Sequence, residues 1–119
     1  MKVAITTSGN HLKAPLDSRF GRAPRFLIYD LDQDTFEVID NAQNLNLTQG
    51  AGIQSAQNLV KYGVNALICG HVGPKAFRVL KEARIKIYTT SATTVQEALD
   101  LFRSGKLEEA SEADVESHW

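Results

Sequence analysis

The chain has one cysteine, one methionine and one tryptophan in 119 residues. A lone Cys69 rules out an intramolecular disulfide, and with it any four-cysteine zinc or iron–sulfur site made by a single chain. It fits a reducing compartment. Long apolar runs are missing, so no stretch reads as a membrane span. The opening MKVAITT breaks at Ser8-Gly9 and lacks the longer apolar core of a secretory signal. The expectation is a cytoplasmic protein with no membrane role. An excess of one charge is also lacking: 13 Lys and Arg face 14 Asp and Glu, for a formal net charge of -1. That balance makes no case for a nucleic-acid partner.

The total conceals an asymmetry. Glu108, Glu109, Glu112, Asp114 and Glu116 lie beyond Leu107 with no Lys or Arg among them, so residues 1–107 are moderately basic. The expected organisation is one domain over 1–107 and an acidic, disordered tail over 108–119. A basic body suits a small anionic partner. Catalytic signatures are absent: there is no G-x-x-x-x-G-K-[ST], no G-x-G-x-x-G, no G-x-S-x-G and no paired-cysteine motif. A covalent catalyst is hard to assemble from this inventory, and a non-enzymatic role is expected.

Lys2 to Thr7 (KVAITT) reads as a short buried strand stopped by Ser8-Gly9-Asn10. A long loop follows, broken by Pro15, Gly21 and Pro24 and carrying His11, Lys13, Asp17, Arg19 and Arg22. Phe26 to Asp30 and Phe36 to Asp40 form a hairpin around Asp32-Gln33-Asp34, whose aspartates are turn residues. Apolar spacing predicts a helix from about Ile53 to Tyr62, closed by Gly63, then a strand from Val64 to Cys69. Pro74 opens a second helix, Ile85 to Tyr88 is a fifth strand, and Val95 to Phe102 carries the stripe of a third helix. The order β-β-β-α-β-α-β-α is that of an α/β protein. With the first strand central, it gives a five-stranded mixed sheet ordered 3-2-1-4-5 and flanked by helices.

In that topology strands one, three, four and five point the same way, so their following loops open on one edge, at a switch point where open α/β sheets bind ligands. Candidate binding residues there are Ser8, His11, Arg19 and Arg22 from the first loop, Gly50 and Gly52 from the third, and Gly70 and Gly73 from the fourth. The Gly50-Ala51-Gly52 and Gly73-Pro74 segments stand just before helices, where unpaired N–H groups favour an anion. Arg19 and Arg22 offer forked donors to an anion. Alternatively, one of them pairs with Asp17 and pins the loop. His71 and Cys69 are the candidate metal ligands, although a cysteine ending an apolar strand equally suits a buried hydrophobe. Arg25 is expected to be exposed at the strand edge, and His118 is given no role.

Three stretches carry a resemblance to a known family. They are the first strand with its long loop into SRFGRAPRFLIYDLD, the block GAGIQSAQNLVKYGVNALICGHVGPKAFRVLKEARIKIY, and the closing VQEALDLFRSGKL. Together they resemble the dinitrogenase iron-molybdenum cofactor biosynthesis proteins, a group that includes the molybdenum–copper orange proteins. The resemblance implies a ribonuclease-H-like fold and non-enzymatic carriage of a preassembled metal–sulfur cluster as cargo, passed from a donor protein to a recipient. Such a cargo, the iron-molybdenum cofactor, a precursor or a related molybdenum or iron–sulfur cluster, is anionic and brings its own sulfide. Some members place a histidine before the Phe-Gly of the first loop, where this chain has Arg19, so no histidine ligand carries over to that position. Two further readings compete. One is a small regulatory or assembly module that binds a protein. The other is a metal-dependent nuclease or phosphatase, disfavoured because KVAITT supplies no carboxylate for a divalent cation.

Overall fold

KVAITT is apolar and β-branched, and it occupies the middle of the sheet as β1 (Lys2–Thr7), with Val3 through Thr7 all buried. In the computed structural model, which describes residues 1–41 and 50–113, the remaining elements are β2 (Arg25–Asp30), β3 (Thr35–Asp40), α1 (Ala51–Lys61), β4 (Ala66–Cys69), α2 (Pro74–Glu82), β5 (Lys86–Thr89) and α3 (Val95–Arg103). The sheet has the order β3-β2-β1-β4-β5. β1 is antiparallel to β2 and parallel to β4; β2 is antiparallel to β3 and β4 parallel to β5. The mixed sheet expected from the sequence is therefore the one observed.

Strand alternation builds two cores. Ala4, Phe26, Ile28, Leu67, Cys69 and Ile87 face α1 and α2, where Ala56, Leu59, Ala76, Phe77 and Leu80 meet them. Val3, Ile5, Leu27, Tyr29, Ala66 and Ile68 face α3, packing on Val95, Ala98 and Leu99. The helix ends follow local chemistry. Thr94 caps α3 by accepting the Glu97 N–H at 3.1 Å, and Glu97 returns its carboxylate to the Thr93 hydroxyl at 3.0 Å. Gly50 caps α1 at a φ of 80°, a left-handed value that disfavours any side chain.

Some boundaries differ from the periodicity. α1 starts two residues before Ile53, because Gly50 already turns the chain into it. β4 starts at Ala66: Val64 donates to the Leu59 carbonyl in closing the helix, and Asn65 then donates to the Lys2 carbonyl where the β1–β4 pairing begins. Residues 108–113 of the expected tail lie against the fold. Glu109 forms an antiparallel bridge with Tyr88, the Ala110 N–H donates to the Ile87 carbonyl at 2.7 Å, and Ala110 and Ala113 pack on the α1–α2 core. Small alanines between the acids allow this approach. Residues 114–119 of the expected tail lie outside the described residues.

Candidate functional site

The long first loop is held at its root by two threonines that the apolar β1 buries completely, Thr6 and Thr7. The Thr6 hydroxyl donates to the Asp17 carbonyl at 2.6 Å and the Thr7 hydroxyl to the Pro15 carbonyl at 2.7 Å. Buried hydroxyls need partners, and here they turn the requirement into anchorage. α3 holds the same loop from the other side: Val95 and Gln96 give their N–H groups to the Ala14 and Leu12 carbonyls. The N-terminus of α3 is thus occupied by the protein itself.

A second seam joins the first loop to the loop after β4. The His71 N–H donates to the Ser18 carbonyl at 2.6 Å, and the Phe20 N–H to the His71 carbonyl at 3.1 Å, so Arg19 and His71 pair as a parallel bridge. Phe20 is buried beside Phe26, with ring centroids 5.5 Å apart, and plugs the loop into the α1–α2 core. Gly70 makes the seam possible. A β-carbon there would lie 2.6 Å from the Ser18 carbonyl oxygen and 2.8 Å from its α-carbon. No real side chain tolerates that approach to backbone.

Beside the seam, on the side that continues into the α3 core, lies a groove of about 500 Å³ lined by Leu16, Ser18, Gly70, His71, Thr89, Thr90, Ser91 and Ala92. Its walls come from the loops after β1, β4 and β5, at the switch-point edge. The lining is rich in hydroxyls, and the Thr90 hydroxyl accepts the Ala92 N–H at 3.2 Å while keeping its own proton to donate. The volume falls within the roughly 300–1,000 Å³ of small-molecule clefts.

The structure divides the residues singled out in the sequence. Gly70 and His71 line the groove, and Arg19 follows its Ser18 while pairing with His71. The Arg19 side chain is 51% exposed, and its Nε stands 3.9 Å from Asp17 Oδ1, whose firmer contact is with the Arg19 backbone N–H at 2.9 Å. Asp17 thus shapes the turn and leaves the guanidinium at the surface. Arg22, two residues beyond Phe20 in the chain, is half-buried, and Arg25 is exposed as expected.

Gly50, Gly52 and Gly73 belong to the other face. At Gly52 a β-carbon would lie 3.1 Å from the Ala76 Cβ, so the first turns of α1 and α2 lie side by side. Gly73 is buried and caps α2, accepting the Phe77 N–H at 3.0 Å. Ser8 and His11 are exposed and do not line the groove; His11 Nδ1 accepts the Lys13 N–H at 3.2 Å. Cys69 is fully buried in the α1–α2 core, two residues before the half-buried His71. Among the described residues, no three His, Cys, Asp or Glu side chains come together in a metal-holding group.

The hydroxyl-bearing wall Thr89-Thr90-Ser91 and the lining residues Leu16, Ser18 and Ala92 were missed. The signal was available: β5 points the same way as β1 and β4, so its loop had to open on the same edge. The polar run TTSATT directly follows its apolar core.

Comparison with known proteins supplies the family. The pattern described as dinitrogenase iron-molybdenum cofactor matches residues 1–105. An uncharacterised protein of Methanocaldococcus jannaschii is 35% identical over 111 residues, 91% of this chain and 90% of that one. The apo form of the orange protein from Desulfovibrio gigas has a TM-score of 0.93 at 37% identity over 96% of each chain. A Thermotoga protein solved by NMR and described as NifB-like gives 0.85 at 40% identity over 97% of each. With the pattern covering nearly the whole described chain and relatives of this identity and coverage, the chain belongs to the dinitrogenase iron-molybdenum cofactor family.

Proposed function

We propose that this protein is a non-enzymatic carrier, on a ribonuclease-H-like scaffold in the cytoplasm, for an anionic metal–sulfur cluster. The cargo is the iron-molybdenum cofactor, a precursor or a related molybdenum or iron–sulfur cluster, taken from a donor protein and handed to a recipient. The observation that carries this reading is the hydroxyl-lined groove at the switch-point edge, with His71 in its wall and the Arg19 backbone joined to it. A cluster arrives with its sulfide, so the protein needs donors and positive charge more than thiolates. Ser18, Thr89, Thr90 and Ser91 supply O–H donors to sulfide or oxo ligands, and Arg19 balances charge from the rim. His71 is the side chain of the groove able to bind a metal directly through a ring nitrogen. Cys69 would have to leave the core to do so. The family match, described as dinitrogenase iron-molybdenum cofactor, supports this class of cargo.

The test is metal and acid-labile sulfide content, with an absorption spectrum, on protein purified without oxygen and then offered iron, molybdate and sulfide. Near-stoichiometric uptake that drops several-fold in His71→Ala and in Arg19→Gln supports the carrier. Equal, weak uptake by wild type and both variants refutes it.

A further inference from the structure

The last described segment lies along the outer edge of β5, beside α2. Residues 74–87 carry five cations, Lys75, Arg78, Lys81, Arg84 and Lys86, all exposed, against the single acid Glu82. Residues 108–113 carry Glu108, Glu109 and Glu112 and no cation. The acidic segment runs antiparallel to β5, through the Tyr88–Glu109 bridge and the 2.7 Å bond from the Ala110 N–H to the Ile87 carbonyl. Lys81 Nζ lies 3.7 Å from Glu109 Oε2. Charge and strand pairing thus coincide on one narrow strip.

The attachment is light. Glu108, Glu109, Ser111 and Glu112 are exposed, Ala110 and Ala113 are half-buried, and the ion pair is open to water and salt. A sheet edge with its N–H and C=O groups in reach is a template for an added strand. We infer that the β5 edge and the basic face of α2 form a docking site for an acidic, extended segment of a partner protein, and that residues 108–113 occupy this site until the partner displaces them. The site ends where the groove wall begins, because β5 runs directly into Thr89-Thr90-Ser91. A partner strand seated there would lie next to the groove mouth. Docking itself is independent of the carrier reading, and its test uses no cluster.

The probe is a fluorescein-labelled peptide, LEEASEADVE, matching residues 107–116. A tethered segment competes at an effective concentration of about millimolar, so the wild-type chain is expected to bind the peptide weakly. Full-length Ala110→Pro, which removes the N–H given to Ile87, is expected to bind at least tenfold more tightly. Adding Lys81→Glu should weaken that binding, as should raised salt. A peptide of equal charge with prolines at alternate positions should not bind. In the wild type, excess LEEASEADVE should speed amide exchange at Ala110, an arm that holds even if Ala110→Pro fails to fold. The proposal is overturned if that exchange is unchanged, if a folded Ala110→Pro binds no better than wild type, or if the proline peptide binds equally well. It is overturned too if Ala110→Pro self-associates with rising concentration, which would give the edge to a second copy.

Discussion

The two ends of the sheet differ in what their side chains do. At the loop edge, anchorage comes from backbone groups and buried hydroxyls: Thr6 and Thr7 under the first loop, and the Ser18–His71–Phe20 seam beside it. At the hairpin edge main-chain bonds, such as Leu31 N–H to the Met1 carbonyl at 2.9 Å, are joined by exposed charged groups that satisfy one another. The N-terminal amine meets Asp32 at 2.6 Å. Asp34 accepts from the Tyr29 hydroxyl and pairs with Arg103 at 3.1 Å, while the Arg103 guanidinium lies 4.8 Å from the Tyr29 ring centroid. This decides which end can receive a ligand. Where anchorage uses the main chain, the side chains of Ser18, Arg19 and Ser91 can face a ligand; where side chains anchor, they are already committed to each other.

The loop edge is most sensitive at Gly70. In Gly70→Val the new side chain meets the Ser18 backbone, which cannot move without opening the seam. The expected cost is about 3 kcal/mol, from overpacking against backbone. That lowers the midpoint by roughly 10 °C in thermal denaturation. Next come Thr6→Val and Thr7→Val, which keep shape but leave the Asp17 or Pro15 carbonyl without its donor. Each should cost about 1–2 kcal/mol by urea titration. If either is silent, the claim that hydroxyls anchor this edge fails.

What the sequence disclosed, and what it hid, follows the same division. Strand order was legible because KVAITT and VNALIC are apolar enough to be central, while the D-Q-D turn and Pro74 punctuate the chain. The direction of the loops followed from it. The groove was legible only in part: strand direction put the loop after β5 on the right edge, but the walls are set by a seam whose signal is one glycine, Gly70, facing an atom 52 residues earlier in the chain. Periodicity reports which face a residue takes; it says nothing of which loops touch. Cys69 shows the converse: its apolar strand context, VNALIC, already pointed to burial. The docked 109–113 segment was hidden by composition, since its acids and serine read as solvated chain while the alanines between them do the packing.

Smaller effects sharpen the contrast from both sides. Arg19→Gln should change stability by less than about 0.5 kcal/mol, because its contact with Asp17 is long and exposed. The same change should lower cluster uptake several-fold, separating binding from folding in one variant. At the hairpin edge, Asp34 should behave in reverse, with a stability signature and no binding one. Hydrogen bonding from the Tyr29 hydroxyl, then from Arg103, holds its carboxyl below the ordinary aspartate value of 3.8. A lowered folded pKa means that the unfolded chain takes up the proton first as pH falls. The contribution is therefore fully present above pH 3.8 and is lost as pH drops through the folded value. Melting temperatures of wild type and Asp34→Asn, followed from pH 7 towards pH 2, should differ slightly at neutral pH and converge in acid. Cluster uptake by Asp34→Asn should match wild type; a loss of uptake there would mean that the two edges are coupled through the sheet.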